Sequence, residues 1–212
     1  MVRSFIFTLG FHEDFILRRL SQKGAIPGEP IVVFTAHPLV SGVVRAFDSL
    51  VSFCSRLGLE KPTMIPLDLS SVAESMVKAR SVITALPKPI VADLGGGFRS
   101  LVILVFLVLL TTTDDFELYI SVEGGEGMEL HIPSGVAKAL RRFSPEKEEI
   151  LRAISQNPGI RVEGLSLMLG KSPKTIRNHL SELKKMGLVI ARGRGAPLKL
   201  TDWGKALVNA TR

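Results

Sequence analysis

Residues 89–110 read PIVADLGGGFRSLVILVFLVLL. The run 89–94 is short, apolar and bounded by a proline, the pattern of a buried strand. Gly95, Gly96 and Gly97 then break it, and ten apolar residues, 101–110, continue as a helix. A strand, a glycine turn and an apolar helix in that order make one unit of a parallel sheet covered by helices. The helix is bracketed by Arg99 and Asp114 and is far shorter than the ~20 apolar residues of a membrane span. It is expected to be buried on nearly all sides, with part of it at a subunit interface.

The same alternation extends outward on both sides. Residues 4–9, 30–35 and 64–69 are candidate strands, followed by helices near 13–21, 42–57 and up to 86. Gly58 suits the end of the second helix, and Ser70 or Ser71 can cap the third. Residues 116–122 and 128–132 read as two more strands joined by a Gly-Gly-Glu-Gly turn, a hairpin at one edge of the sheet. The fold class is therefore α/β, a Rossmann-like, mostly parallel sheet. Such sheets bind ligands beyond the carboxyl ends of their strands. That singles out three turns: residues 10–12, 36–42 and 93–99.

The last of these is chemically the richest. Its three glycines permit backbone N–H groups to approach an anion at a helix N-terminus, and Arg99 adds a fork of donors suited to phosphate. Asp93 can cap the helix or accept a hydrogen bond from a base or ribose. Two other motifs fail. A dinucleotide fingerprint would need glycine where Ser100 stands, and GLSLMLGKS at 164–172 has the wrong spacing for a phosphate loop.

The final third differs in charge. Residues 144–212 hold 13 basic and 6 acidic side chains, whereas residues 1–143 hold 14 of each, so the chain's net +7 belongs to the C-terminal part. Ser144-Pro145-Glu146 opens a helix that runs to about Gln156. A short helix over 162–169 is closed by Gly170, and Ser172-Pro173 starts a third, to Met186. On this third helix Ile176, Leu180 and Leu183 recur at core-facing spacing. The other face presents Lys174, Thr175, Arg177, Asn178 and Ser181, with Lys185 beyond and Lys171 and Ser172 just before it. Two alternating strands, 188–191 and 198–201, flank a Gly-rich tip with Arg192 and Arg194, and Lys199 lies on the returning strand. A helix over 202–210, anchored by Trp203, completes a winged helix-turn-helix. Its charge fits phosphate backbones, and the expected partner is double-stranded DNA.

Composition excludes several alternatives. The single cysteine, Cys54, rules out an internal disulfide and is expected to fill apolar space. Four scattered histidines form no metal motif, so no metal and no cofactor is expected. The N-terminus lacks the pattern of a signal peptide, and the expected location is the cytoplasm, with no membrane partner.

TIRNHLSELKKMGLV at 175–189 followed by RGRGAPLKLTDWGKAL at 192–207 resembles the winged helix of MarR and ArsR regulators. TLGFHEDF at 8–15, HPLVSG at 37–42 and DLGGGFR at 93–99 resemble the CARF domain of CRISPR-associated transcriptional regulators, and the combination is similar to the archaeal members of that family. The resemblance implies residues 1–133 as a sensing and dimerisation domain, 134–143 as a linker and 144–212 as the DNA-binding domain. It also implies a homodimer whose two sensing domains share a pocket for cyclic oligoadenylate, with cyclic tetra-adenylate the expected ligand. Carried over by position, the ligand-binding residues are Thr8, Gly10, Phe11, Asp93, Gly95, Gly96, Gly97 and Arg99, with Ser41 and Gly42 from the second turn. No catalytic residue is assigned and the chain is not expected to be an enzyme. The competing readings are a slow ring nuclease, for which His12, His37, Ser41 and Arg99 offer no fixed nucleophile–base pair, and a regulator sensing another small anion.

Overall fold

A computed structural model describes residues 2–113, 115–121, 128–141, 144–191, 193 and 195–210. The chain divides into two units, Met1–Ile132 and Pro133–Arg212.

The first unit alternates as the periodicity predicts: β1 (Ser4–Thr8), α1 (Asp14–Gln22), β2 (Ile31–His37), α2 (Ser41–Arg56), β3 (Thr63–Asp68), α3 (Val72–Ala85), β4 (Ile90–Asp93), α4 (Arg99–Thr112), β5 (Phe116–Ser121) and β6 (Glu129–Ile132). The strands form one sheet in the order β3-β2-β1-β4-β5-β6, and β5–β6 is its antiparallel pair. The Gly-Gly-Glu-Gly turn expected between those two strands lies outside the described residues. Phe5, Phe7 and Leu9 point to one face of the sheet and pack with Ile16 and Leu20 of α1 and Val43, Leu50 and Cys54 of α2. Cys54 is fully buried there, which pushes its thiol up to about 11. α3 and α4 pack on each other, with α3 against β3 and α4 against β1 and β2.

One local expectation changes. Ser71 takes the cap position of α3, but its hydroxyl does not bond the helix; Asp68 instead accepts from the Ser70 N–H and hydroxyl, and Ser75 Oγ bonds the Asp68 carbonyl. The apolar helix α4 is not covered on all sides within the single chain. Leu101, Leu104, Val105, Val108 and Leu109 are buried, yet Ile103 is 58% and Leu107 44% exposed. These two lie four residues apart on one face, which neither the sheet nor α3 reaches.

The second unit holds α5 (Ser134–Arg141), α6 (Pro145–Gln156), α7 (Val162–Leu169), α8 (Pro173–Lys185), β7 (Val189–Ile190), β8 (Lys199–Leu200) and α9 (Asp202–Ala210). Ser144 and Ser172 cap α6 and α8 with their hydroxyls, each followed by proline at the first helical position. Ile150, Ile154, Leu165, Ile176, Leu180 and Leu183 form the three-helix core, which Leu188 and Leu198 of the wing close. Residues 134–143, expected as a linker, instead carry α5. Val136, Ala137 and Ala139 are buried, and a Cβ on Gly135 would lie 2.3 Å from Met186 Cα, so this helix sits backbone-close against the end of α8. Trp203, expected to anchor α9, is half-buried; Gly204 and Val208 are the buried positions, because the glycine lets the helix approach the Leu188 carbonyl.

Candidate ligand pocket and nucleic-acid interface

β1 is flanked by β2 on one side and β4 on the other, and chain progression reverses between β1 and β4. Beyond such a reversal the two following loops diverge and leave a crevice. Here those loops are the turns after Thr8 and after Asp93. They approach main chain to main chain at the glycines: a Cβ on Gly10 would lie 2.9 Å from Gly97 N, and one on Gly96 would lie 2.7 Å from Thr8 O. Gly97 has φ +87°, a conformation that L side chains rarely adopt. Side chains at these positions would drive the loops apart.

A cavity of about 150 Å³ opens above this floor. Gly10, Gly96 and Gly97 form its base, and Phe11, Phe15 and Phe98, with Pro38 and Val40, form its walls. Phe11 is 58% and Phe98 56% exposed, an arrangement that leaves aromatic faces open at the mouth. The Phe11 ring rests on α2 at Gly42, where a Cβ would come within 2.6 Å of it. His12 also lines the cavity.

The expected ligand residues thus separate into groups. Gly10, Phe11, Gly96 and Gly97 line the cavity. Ser41 and Arg99 are exposed at the first positions of α2 and α4. Gly42 acts by seating Phe11. Thr8 is buried, and its hydroxyl has no hydrogen-bond partner. His37 belongs to a separate cavity with Asp68, Glu74 and Lys78. Phe15 and Phe98 were overlooked, although both stand inside the quoted motifs.

Asp93 does not take the capping role expected of it, and it is buried beneath the turn. Phe98, not Asp93, occupies the cap position of α4. Asp93 is 1% exposed; its Oδ1 accepts the Gly95 N–H at 3.0 Å and its Oδ2 accepts Arg19 Nε at 2.9 Å. The carboxylate therefore braces the glycine turn from below. Burial pushes the Asp93 carboxyl up, while Arg19 and the Gly95 amide pull it down. Burial also works against the charge on Arg19, but Glu129 and Asp93 outweigh it and hold the guanidinium protonated. Nothing in the local sequence of α1 marks Arg19 as a core residue, and its two acidic partners lie 74 and 110 positions away.

In the second unit, α8 buries Ile176, Leu180 and Leu183 and exposes Lys174, Thr175, Arg177, Asn178 and Ser181, as its periodicity predicts. Ser172 is engaged in capping, accepting from the Thr175 N–H, and the two hydroxyls bond each other. Lys171 pairs with Glu149 of α6. Arg177 lies 3.4 Å from Glu163, both well exposed, a contact too solvated to hold the side chain firmly. Lys199 is exposed on β8. Arg192 and Arg194 lie outside the described residues.

No described helix is long and apolar enough to cross a membrane. Among the described residues, no group of three or more His, Cys, Asp or Glu is placed to hold a metal ion.

Residues 3–133 match the family described as the Csa3 CRISPR-associated Rossmann-like domain, and residues 144–191 match the bacterial regulatory protein family arsR. A relative from Saccharolobus solfataricus, the CRISPR locus-related protein Csa3, named for an inferred role in DNA binding, is 29% identical over 212 residues. The match covers 100% of this chain and 90% of the relative. A Rossmann-like sheet with glycine turns at its switch point, followed by an ArsR-type winged helix, thus places this chain in the Csa3 family of CRISPR-associated proteins.

Proposed function

We propose that this chain is a homodimeric, ligand-responsive transcriptional regulator that binds cyclic oligoadenylate, of which cyclic tetra-adenylate is the first choice, and double-stranded DNA. The observation that carries the ligand reading is the pairing of a main-chain glycine floor with walls of Phe11, Phe15 and Phe98. Backbone N–H groups and Arg99 suit phosphate. Open aromatic faces suit a base, since each nucleobase presents a π-face. A small inorganic anion has no use for the second feature. The chain acts as a receptor in this reading: cleavage needs an oriented nucleophile–base pair, and among the described residues lining the cavity His12 is the one titratable side chain.

The test is calorimetric titration of the purified protein with cyclic tetra-adenylate, with the linear tetramer as control. One ring per dimer is expected, with affinity lowered about tenfold or more by Phe11→Ala or by Arg99→Ala. Absence of binding to folded dimer would leave the DNA-binding role alone standing.

A ring shared by two subunits requires a two-fold interface beside the pocket. The open face of α4, with Ile103 and Leu107 exposed on the helix that begins at Arg99, supplies apolar surface there. Leu107→Asp is expected to convert dimer to monomer in sedimentation without lowering the melting temperature of the monomer's fold. A variant that remains dimeric would move the interface elsewhere.

For DNA, the supporting features are the exposed donor face of α8 and the +7 charge confined to residues 144–212.

A further inference from the structure

We infer that the buried Arg19 cluster is a relay that ties the glycine-rich turn to strand β6, and so to the segment of chain that enters the winged-helix unit. The inference rests on the ligand reading for the origin of the signal, but its wiring stands on contacts alone.

Arg19 is an odd residue to find where it is. Its side chain is 3% exposed and that of Asp93 0%, on the face of the sheet where α1 otherwise buries Ile16 and Leu20. An ion pair in such a place adds little stability over apolar side chains of similar size, so stability alone does not explain it. Its connections do. Asp93 holds the Gly95 amide with one oxygen and Arg19 Nε with the other. The same guanidinium donates through Nη2 to Glu129 at 2.5 Å and through Nη1 to Gln22 of its own helix at 2.9 Å, and its Cζ lies 3.6 Å from the centre of the Tyr119 ring. Tyr119 is stacked at 4.3 Å on His131, the β6 residue directly opposite it. Next along α1, Arg18 Nη2 donates to Ser121 Oγ, at the end of β5.

A guanidinium is planar and rigid, so its Nε and Nη2 bonds cannot be reoriented independently. A shift of the Gly95 turn that draws on Asp93 rotates the fork and moves Glu129. β6 is one of the two edge strands of the sheet, hydrogen-bonded to β5 alone, which leaves it freer to shift than the central strands. It ends at Ile132, and α5 begins at Ser134, with Pro133 alone between them. α5 in turn lies against Met186, the residue that ends α8. From Glu129 to the start of α5 is thus a path of five residues along the chain, through which a displacement of β6 acts on the segment that leads into the second unit.

Glu129→Gln tests the relay in the full-length protein. It removes the charge while keeping an acceptor, on a side chain 35% exposed, so folding is expected to survive. Hydrogen exchange of the ligand-free protein comes first. The relay predicts that exchange in the peptide spanning 93–99 rises about fivefold or more in the variant, because Arg19 loses its charged anchor on β6 and holds Asp93, the brace of Gly95, less firmly. Unchanged exchange there would overturn the wiring, whatever the ligand is. The second measurement is DNA affinity by fluorescence anisotropy with and without cyclic tetra-adenylate. The ring should bind the variant within about threefold of wild type, while the ratio of DNA affinities with and without ring collapses toward one. A variant that retains the wild-type ratio overturns the relay. If the ring fails to bind the wild type, the ligand reading falls and the exchange measurement alone decides the relay. Arg19→Lys, which keeps the charge and loses the fork, should reproduce both effects.

Discussion

Arg19→Met should destabilise the first unit by about 3–5 kcal/mol, a large share of the ~5–15 kcal/mol that holds a domain together. Methionine fills much of the arginine's volume, so lost packing contributes little. What remains is Asp93, fully buried and stripped of the cation facing it, and Glu129 with no partner at 2.5 Å. Urea unfolding followed by far-ultraviolet circular dichroism measures the loss, and a drop under about 1 kcal/mol would show that the site admits water. Adding Asp93→Asn to Arg19→Met should restore a good part of the stability, because it removes the stranded charge while keeping an acceptor for the Gly95 amide. Two independent, additive losses would contradict a cluster that acts as a unit.

The second large effect is expected at the other end of the chain. Lys174→Ala with Arg177→Ala should lower affinity for a mixed-sequence duplex by about tenfold or more at moderate salt, and should make the slope of log affinity against log salt shallower by about 2. Both side chains are exposed on α8, and neither contributes to the core formed by Ile176, Leu180 and Leu183. Their loss should therefore leave thermal stability within about 0.5 kcal/mol of wild type. An unchanged salt slope would mean that α8 does not meet the phosphate backbone and that the winged helix serves protein contacts.

Much of this architecture is legible before any coordinates, for local reasons. Ser144-Pro145, Gly170 and Ser172-Pro173 are chemical punctuation, and the helices they bound begin and end where those residues stand. The parallel sheet follows from strands and helices that alternate without interruption from Ser4 to Thr112. Other features depend on distance along the chain. α5 escaped notice because its buried residues are small and its partner is the far end of α8, some fifty positions later. Which face of α4 lies open was not legible, because a helix that is apolar all round does not reveal which side lacks a neighbour. In the pocket, the glycines were readable as a motif, but the aromatic walls were not. Phe15 and Phe98 become walls only when strand order sets β1 beside β4. The same strand order makes Asp93 a brace, since it faces Arg19 across the sheet interior.

The contact of Gly10 with Gly97 has a consequence for how the proposed ligand site can diversify. The bottom of the site is written in peptide groups, which are the same in each residue type, and a Cβ on Gly10 or Gly96 meets main chain rather than a side chain that might yield. Substitution at those positions has no vocabulary with which to prefer one ligand over another; it can only damage the cradle. Discrimination must be spelled in the rim, by Phe11, Phe98 and Arg99, all of which are exposed enough to be exchanged without repacking a core. An effort to retune the proposed site toward a different ligand should therefore randomise those three positions and leave the glycines alone.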